Sequence, residues 1–479
     1  VNPQLFGVGV QGRSPVVTAQ RRVNCYYDIQ PEADRAQVAI YGRPGLTLHD
    51  NLGETRIRGM FPAGPYLYVV HRDSLYEILN DGTHTGLGTL DTSTGDVYFA
   101  IGHLNASSER HMMLVDGTSG YYVDVNASSR SLTKITDASF PSNPQSVTYV
   151  GGYFVVNEDA EKGRFDHSQN ADDAVNWNSD FSSASTKGDK LLRVFGYEGV
   201  LGLLGTESTE YWAYTGDASF VYANVLGQFS NWGLAARASV AEFGDTAVAL
   251  MQSTFGEAVV QLLHPAGHQT ISTPDLGNVI NGYSTVADAI GTSFMIDGHL
   301  MYLLTFPTAG KTWCYDQASN LWSEWETGGQ GGQFRGAYAA VANNKIHLGD
   351  FENGKVYRFD KGTYTDNSEE IARELISQHV FDGNRMLVCS EFWVDMEEGA
   401  GVQTGQGADP EVMLSVSRDK GRTFGNEHWA NLGKVGQYRK RARWRRLGAG
   451  TDFVFKLRMT DPVPFVVTGE RITLRPGAA

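Results

Sequence analysis

The sequence predicts an all-β protein, a β-propeller of six or seven blades followed by a C-terminal β-sandwich. Three observations predict it. Aromatic strands recur at a nearly constant interval through the middle of the chain, and the strand pattern changes after Lys361. The composition agrees, since 55 glycines, 23 Phe and 22 Tyr in 479 residues favour strands and turns. Few stretches show the i, i+3, i+4, i+7 apolar spacing of a helix. A chain of this length is also too long for one ordinary core, so two domains or a repeat architecture are expected.

The repeat is read from Leu75-Tyr76-Glu77-Ile78, Tyr121-Tyr122-Val123, Arg164-Phe165-Asp166, Tyr211-Trp212-Ala213, Val259-Val260-Gln261-Leu262, Trp313-Cys314-Tyr315 and Val356-Tyr357-Arg358-Phe359. From Tyr76 the steps are 46, 43, 46, 48, 54 and 44 residues. An apolar strand precedes each, such as Leu67-Tyr68-Val69-Val70 or Leu300-Met301-Tyr302-Leu303-Leu304. Short strands repeating every 40–50 residues or so are the signature of propeller blades, each a four-stranded sheet that buries its faces only against its neighbours. The segment from Trp313 to Trp325 resembles a kelch-type hairpin, with a tyrosine and an aspartate before the turn and a tryptophan after it.

Past Lys361 a polar stretch, Thr363 to Glu370, reads as a linker. Longer alternating strands follow, including Phe392 to Met396, Val412 to Val416 and Phe453 to Met459, and they suggest a sandwich. The expected division is therefore an N-terminal arm with first strands closing on the propeller (1–47), the propeller (48–362) and the sandwich (363–479). The glycine-rich loop from Glu397 to Pro410 is long for a hairpin and is expected to be mobile or ordered by a partner.

Formal charge is −15, which disfavours a sequence-independent duplex binder. Cys25, Cys314 and Cys389 are far apart, odd in number and without zinc-ligand spacing, so three buried free thiols are expected, in a fold made in a reducing compartment. Val1 to Leu5 lack the basic start and apolar run of a signal peptide, and no stretch reaches the roughly 18 apolar residues of a membrane span.

Several motifs look chemical and fail on context. Gly7-Val8-Gly9-Val10-Gln11-Gly12 spells the dinucleotide fingerprint but lacks the preceding strand and the following helix that would hold a pyrophosphate. Gly310-Lys311-Thr312 lacks the first glycine of a P-loop. His264 and His268 are spaced by four, yet Pro265 and Gly267 forbid the helix that would aim both at a metal. Ser417-Arg418-Asp419-Lys420-Gly421-Arg422-Thr423-Phe424 resembles an Asp-box, a turn whose aspartate and hydroxyls satisfy backbone amides. No catalytic, cofactor-binding or metal-binding residue is assigned, and no cofactor is expected.

One run stands out in so acidic a chain, Arg439-Lys440-Arg441-Ala442-Arg443-Trp444-Arg445-Arg446, without whose six cations the charge would be −21. Read as a strand, it aligns Arg439, Arg441, Arg443 and Arg445 on one face over roughly 20 Å, with Tyr438, Ala442 and Trp444 opposite. Glu391, Trp393, Asp395 and Glu397 share one face of another expected strand. Three readings of the arginine row stay open: internal pairing with that acidic strand, a protein partner, or DNA.

The run Gly12-Arg13-Ser14-Pro15, then Arg21-Arg22-Val23-Asn24-Cys25-Tyr26-Tyr27, then Ala39-Ile40-Tyr41-Gly42-Arg43-Pro44-Gly45-Leu46, resembles the opening of the packaged-DNA stabilization proteins of short-tailed phages. The stretch from Ser417 through Trp444-Arg445-Arg446-Leu447-Gly448 to Thr460-Asp461-Pro462-Val463 is similar to that family's closing signature. Cys25 stands where Leu is commoner, and Arg43 replaces the usual Thr. The resemblance implies a tail hub, or nozzle, and no enzyme: a homo-hexameric ring below the portal and its adaptor that closes the DNA channel. Such a ring holds the tail needle or plug and the tailspikes or fibres, and double-stranded DNA passes it without sequence-specific binding. It implies a place in the virion tail after assembly in the host cytoplasm. The rival reading is a glycan-binding or sialidase-like propeller, which needs arginines and carboxylates converging at the propeller centre.

Overall fold

In the computed structural model, residues 5–7, 9–30, 37–159, 163–184, 186–197, 199–217, 220–329 and 331–477 are described. Val1 to Gln4 of the N-terminal reading and Val8 of the glycine motif lie outside them. Seven sheets follow one another around a ring, at 57–89, 98–134, 144–183, 191–230, 232–270, 290–325 and 336–360. The first strand of each contacts its neighbours, and the last sheet returns to the first through Gly336–Ala342 against Ile57–Ala63. These are seven blades.

All seven aromatic segments of the sequence repeat fall on the third strand of successive blades, from Ser74–Ile78 to Lys355–Asp360. That strand alternates residues into the two neighbouring interfaces, which is why it keeps its large side chains. Seven hydrophobic clusters fill the ring, one between each pair of adjacent blades. In the first of them Tyr68 and Leu75 of blade 1 meet Met112 and Leu114 of blade 2. The 54-residue step between blades 5 and 6 holds an α-helix, Pro274–Asn281. Thr273 caps it by accepting the Leu276 amide at 3.3 Å, Pro274 opens it, and Leu276 and Ile280 are buried between the two blades.

The seventh blade borrows its outer strand from the N-terminal region. Gly45–Asn51 pairs antiparallel with Lys355–Asp360, placing Leu46 opposite Phe359 and Leu48 opposite Tyr357. Gly45 must be glycine because a Cβ there would lie 2.3 Å from the Thr365 carbonyl oxygen. Gly45→Ala is expected to cost about 1–3 kcal/mol, read as a lower urea midpoint of the whole chain. An unchanged midpoint would show that Thr365 moves aside freely.

Cys25–Ile29 and Val38–Gly42 do not add to the propeller's blades; they enter the C-terminal sandwich, as does Arg21–Val23, which also borders blade 6. One sandwich sheet contains Arg21–Val23, Arg373–Ile376, Asp452–Met459, Glu411–Ser417 and His428–Asn431. The other contains Cys25–Ile29, Val38–Gly42, Val466–Pro476, Leu387–Met396 and Ala442–Gly450. Between them lies one core, in which Tyr27 and Ile40 of the N-terminal strands pack with Phe392, Phe455, Trp444 and Leu457. The reason is burial: Cys25, Tyr27 and Ile40 have apolar partners only there.

Arg21–Val23 also pairs parallel with blade 6 at Val23 and Glu324, so blade 6 and a sandwich sheet are one continuous sheet. The polar stretch 363–370 is clamped too. Thr365–Asp366 pairs parallel with Gly45–Asn51 through Asp366 and Leu46. The three cysteines are free and buried, and burial pushes Cys25 and Cys389 up to about 12.

Candidate functional site

The basic run is only partly a strand. Ala442–Gly450 pairs with Leu387–Met396, with Arg445 opposite Glu391, Arg443 opposite Trp393 and Ala442 opposite Val394. Pairing stops at Val394 although the partner strand runs on to Met396, so Arg439, Lys440 and Arg441 precede the strand and lie outside its ladder. The four arginines therefore do not share one pleated face. Arg443 and Arg445 point outward on the strand, while Ala442 and Trp444 are buried as the alternation predicts. Tyr438 is not packed beneath them; it is 70% exposed. Gly448 lies inside the strand, and a bulge at Arg446 (φ 60°) returns Leu447 to the core.

The acidic strand meets these cations as its parity requires. Glu391 pairs with Arg443 and lies 3.8 Å from Arg445, and Asp395 lies 4.0 Å from Arg441. The Arg441 guanidinium sits 5.2 Å over the Trp393 ring. Arg439 has no ion-pair partner among the described residues, and Arg439, Arg441, Arg443 and Arg445 are all exposed. Exposed pairs of this kind contribute about 0–1 kcal/mol each. Internal pairing thus takes up part of the charge and leaves the surface accessible. Tyr438, Arg439, Lys440 and Arg441 line a cleft of about 660 Å³ together with Asp395, Glu397 and Glu398.

The N-terminal motif has a different place, the joint between propeller and sandwich. Asn24, with φ 55°, donates to the Ala372 carbonyl at 2.8 Å and accepts from the Glu326 amide at 3.0 Å. Arg43 is fully buried. Its guanidinium donates to both Asp366 carboxylate oxygens, to Asn24 Oδ1 at 2.8 Å and to the Glu326 carbonyl at 2.9 Å, and it lies 4.6 Å over the Phe334 ring. Arg21 reaches Glu324 of blade 6 at 2.7 Å and Glu374 of the sandwich at 3.0 Å. Arg22 donates to the Trp322 carbonyl at 2.6 Å. Each motif residue bridges two parts of the chain, so both charge and length are demanded at once.

The Asp-box turn follows its expected pattern. Asp419 accepts the Thr423 amide at 2.9 Å and its hydroxyl at 2.6 Å, and Ser417 Oγ accepts the Gly421 amide at 3.0 Å. Those bonds hold the Asp419 carboxyl well below the usual carboxylate range. His264 and His268 lie on the final turn of blade 5, where the Tyr211 hydroxyl meets His268 Nε2 at 2.9 Å.

Sequence reasoning missed the propeller axis, because its residues come from six blades. Asp96 accepts Arg56 at 2.9 Å and the Tyr338 hydroxyl at 2.6 Å. Arg193 donates to the Arg237 carbonyl at 2.8 Å and lies 4.8 Å over the Tyr98 ring. Arg237 in turn donates to the Leu192 carbonyl at 3.0 Å and to Gln145. Burial lowers the Arg193 pKa and raises those of Tyr98 and Tyr338. The only signal in the sequence was position, since these residues lie at or near the inner strand of each blade.

A seven-bladed propeller joined through a shared sheet and buried ion pairs to a β-sandwich is a rigid two-domain scaffold. The family model described as bacteriophage P22 Gp10, β-propeller, matches residues 18–364, and the one described as bacteriophage P22 Gp10, β-sandwich, matches residues 372–475. The chain belongs to this family of packaged-DNA stabilization proteins, structural components of the phage tail hub. That membership gives it a virion-tail location and a role in the tail complex with portal-adaptor proteins. No curated protein matches the chain.

Solved structures with similar coordinates are remote in sequence. YCF48 bound to a D1 peptide is 11% identical with a TM-score of 0.39, over 66% of this chain and 97% of that one. The N-terminal domain of Nup159 is 8% identical, with a TM-score of 0.41, over 71% and 98%. Kuenenia stuttgartiensis hydrazine synthase is 9% identical, with a TM-score of 0.42, over 63% and 95%. Among the described residues no helix is long and apolar enough to cross a membrane.

Proposed function

We propose that the chain forms a homo-hexameric ring below the portal-adaptor complex, closes the DNA channel after packaging and supports the tail needle or plug and the tailspikes or fibres. It acts as a structural part, without catalysis, after assembly in the host cytoplasm. The observation that carries this reading is the double family match over a propeller and a sandwich that share one sheet. A ring that holds a pressurised genome needs domains that do not hinge, and interfaces that bury at least about 2,000 Å². The acidic surface faces the lumen, where few cations would grip passing phosphates, and Arg439, Arg441, Arg443 and Arg445 face protein.

Arg56 is paired with Asp96, and Arg193 and Arg237 donate to backbone carbonyls, so this trio is not poised to grip a substrate carboxylate.

Negative-stain imaging of the full chain with and without its adaptor oligomer tests the assembly, with six-membered rings expected on the adaptor. Replacing Arg439, Arg441, Arg443 and Arg445 together by Ala is expected to weaken that assembly at least tenfold while the melting temperature stays within a few degrees. Assembly at wild-type strength would remove the arginines from the interface. A ring structure with them on the channel wall would overturn the proposed orientation.

A further inference from the structure

The outer face of the second sandwich sheet, the one that contains Ala442–Gly450, extends the arginine surface beyond the basic run. Trp393 lies opposite Arg443 on one side and opposite Arg471 on the other, and directly opposed residues share a face. Val388 lies opposite Arg475 in the same way. Arg471 and Arg475 are exposed and have no ion-pair partner among the described residues. Trp393 is half-buried, with the Arg441 guanidinium over its ring. An aromatic ring among arginines is the composition that concentrates binding energy at protein interfaces.

The pattern on this face selects the partner. Glu391 and Asp395 stand on the strand between the two arginine-bearing strands, and a continuous phosphate chain laid across it would meet their carboxylates. A protein surface can place its charges individually, so it fits such a face. The same face of a second copy is excluded as the partner, because arginines would meet arginines. An acidic surface is required, and the rest of an acidic chain supplies one.

That surface lies at the other end of the molecule. The sandwich joins the outer strands of blades 6 and 7, and blade 3 stands directly across the propeller from this joint. The turn before the outer strand of blade 3, residues 168–181, carries Asp172, Asp173, Asp180 and Phe181, which is 54% exposed. Blade 2 adds Glu109, which with Asp173 flanks the His111 ring at 3.3 and 3.5 Å. Blade 4 adds Tyr214, 45% exposed and stacked on Tyr153 at 6.0 Å. Arg164, 4.1 Å over the Phe181 ring, already has Asp166 at 2.8 Å and Glu158 at 3.4 Å. Carboxylates around two exposed aromatic rings thus complement arginines around a tryptophan.

We infer that subunits join head to tail through these two ends, the Trp393 face of one copy docking on the Phe181 and Tyr214 end of the next. The contact is heterologous, so each copy keeps one free end until a ring closes. It rests on the ring proposed for this chain and names the surfaces that build it. Because opposite charges face each other there, the association weakens as salt rises.

Sedimentation velocity of the full chain, alone and with the adaptor oligomer, tests the contact on two charge-reversed variants, Arg471→Glu with Arg475→Glu and Glu109→Lys with Asp180→Lys. All four side chains are exposed, so both variants should melt with the wild type. Each variant by itself should associate at least about tenfold more weakly than the wild type, since each then opposes like charges. An equal mixture of the two should regain association, because every contact again pairs opposite charges. If a double variant fails to fold, Arg471→Glu or Asp180→Lys alone is read in its place. Wild-type association of either variant, or no recovery in the mixture, overturns the proposal. So does a wild type that associates neither alone nor on the adaptor, and so does loss of adaptor binding with self-association intact, which would give the face to the adaptor. Imaging separates the contact from the ring. Six-membered rings from either variant keep the ring and remove this contact, whereas recovery in the mixture as open chains keeps the contact and removes the ring.

Discussion

Replacing Asp366 by Ala is expected to destabilise the chain by about 3–5 kcal/mol and to uncouple the sandwich from the propeller. The carboxylate and its partner Arg43 are both fully buried, and the guanidinium has no route to water. Removing the anion strands a cation between Phe334, Trp325 and the Asn24 side chain. Denaturant unfolding followed by tryptophan fluorescence reads the effect, because Trp325 lies at this joint. A single transition should give way to two, at a lower first midpoint. The double variant Arg43→Met with Asp366→Leu should recover most of the loss, since an apolar pair of similar volume leaves no buried charge. A shift below about 1 kcal/mol for Asp366→Ala would mean that the joint is held by the shared sheet alone.

Acid should loosen the propeller before its ordinary, solvent-exposed carboxylates titrate. His347 is buried, accepts the Arg358 Nε–H at 2.9 Å and lies 5.0 Å from the His49 ring, so burial with these neighbours pushes it down to about 3. His268 is pushed down to about 4 by burial. Both bind a proton near pH 6.5 when unfolded. Their folded pKa values are depressed, so the unfolded chain takes up protons first. The stability they contribute is complete above pH 6.5 and is lost as pH falls through the folded values. Each removes about 1.4 kcal/mol per pH unit across that window. Asp166, Glu326 and Asp350 of the propeller and Glu470 of the sandwich, whose carboxyls burial raises, offset part of the loss as they protonate. Urea midpoints measured from pH 7.5 to 5 should fall steadily, and His347→Gln should flatten the slope in part, since His49, His71, His167 and His268 are also held down by burial. A slope unchanged in that variant would assign the acid sensitivity elsewhere.

The blades were legible because a repeating unit repeats its burial. Every third strand needs large apolar residues on both faces, and that demand wrote Tyr76, Phe165, Trp212 and Tyr357 into the sequence at a nearly fixed spacing. The N-terminal strands divide between the two domains, Arg21–Val23 and Gly45–Asn51 reaching blades 6 and 7, while Cys25 to Ile29 and Val38 to Gly42 carry no mark of the distant sandwich sheet they complete. The arginine row was half legible. Parity located Arg443 and Arg445 opposite the acidic strand, but nothing in the run itself shows that its pairing begins only at Ala442. The helix at Pro274 carried its own signal in Thr273-Pro274-Asp275, a cap followed by a proline, and it was hidden only by the strand-rich surroundings. Asp96, Tyr98, Arg237 and Asp288 are scattered over nearly two hundred residues, and only the closure of the ring brings them together.

The strand Gly45–Asn51 has a kinetic meaning as well as a structural one. Its partner, Lys355–Asp360, is made some three hundred residues later, and Val466–Pro476, the strand that the hairpin of Cys25–Ile29 and Val38–Gly42 joins, is made later still. During synthesis Gly45–Asn51 and the hairpin before it emerge with no sheet to join, and the ring stays open until Lys355–Asp360 has been made. Folding is therefore committed at the C-terminal end, and a chain truncated before Lys355 would expose two unpaired blade edges and one empty sandwich face to every other copy near it.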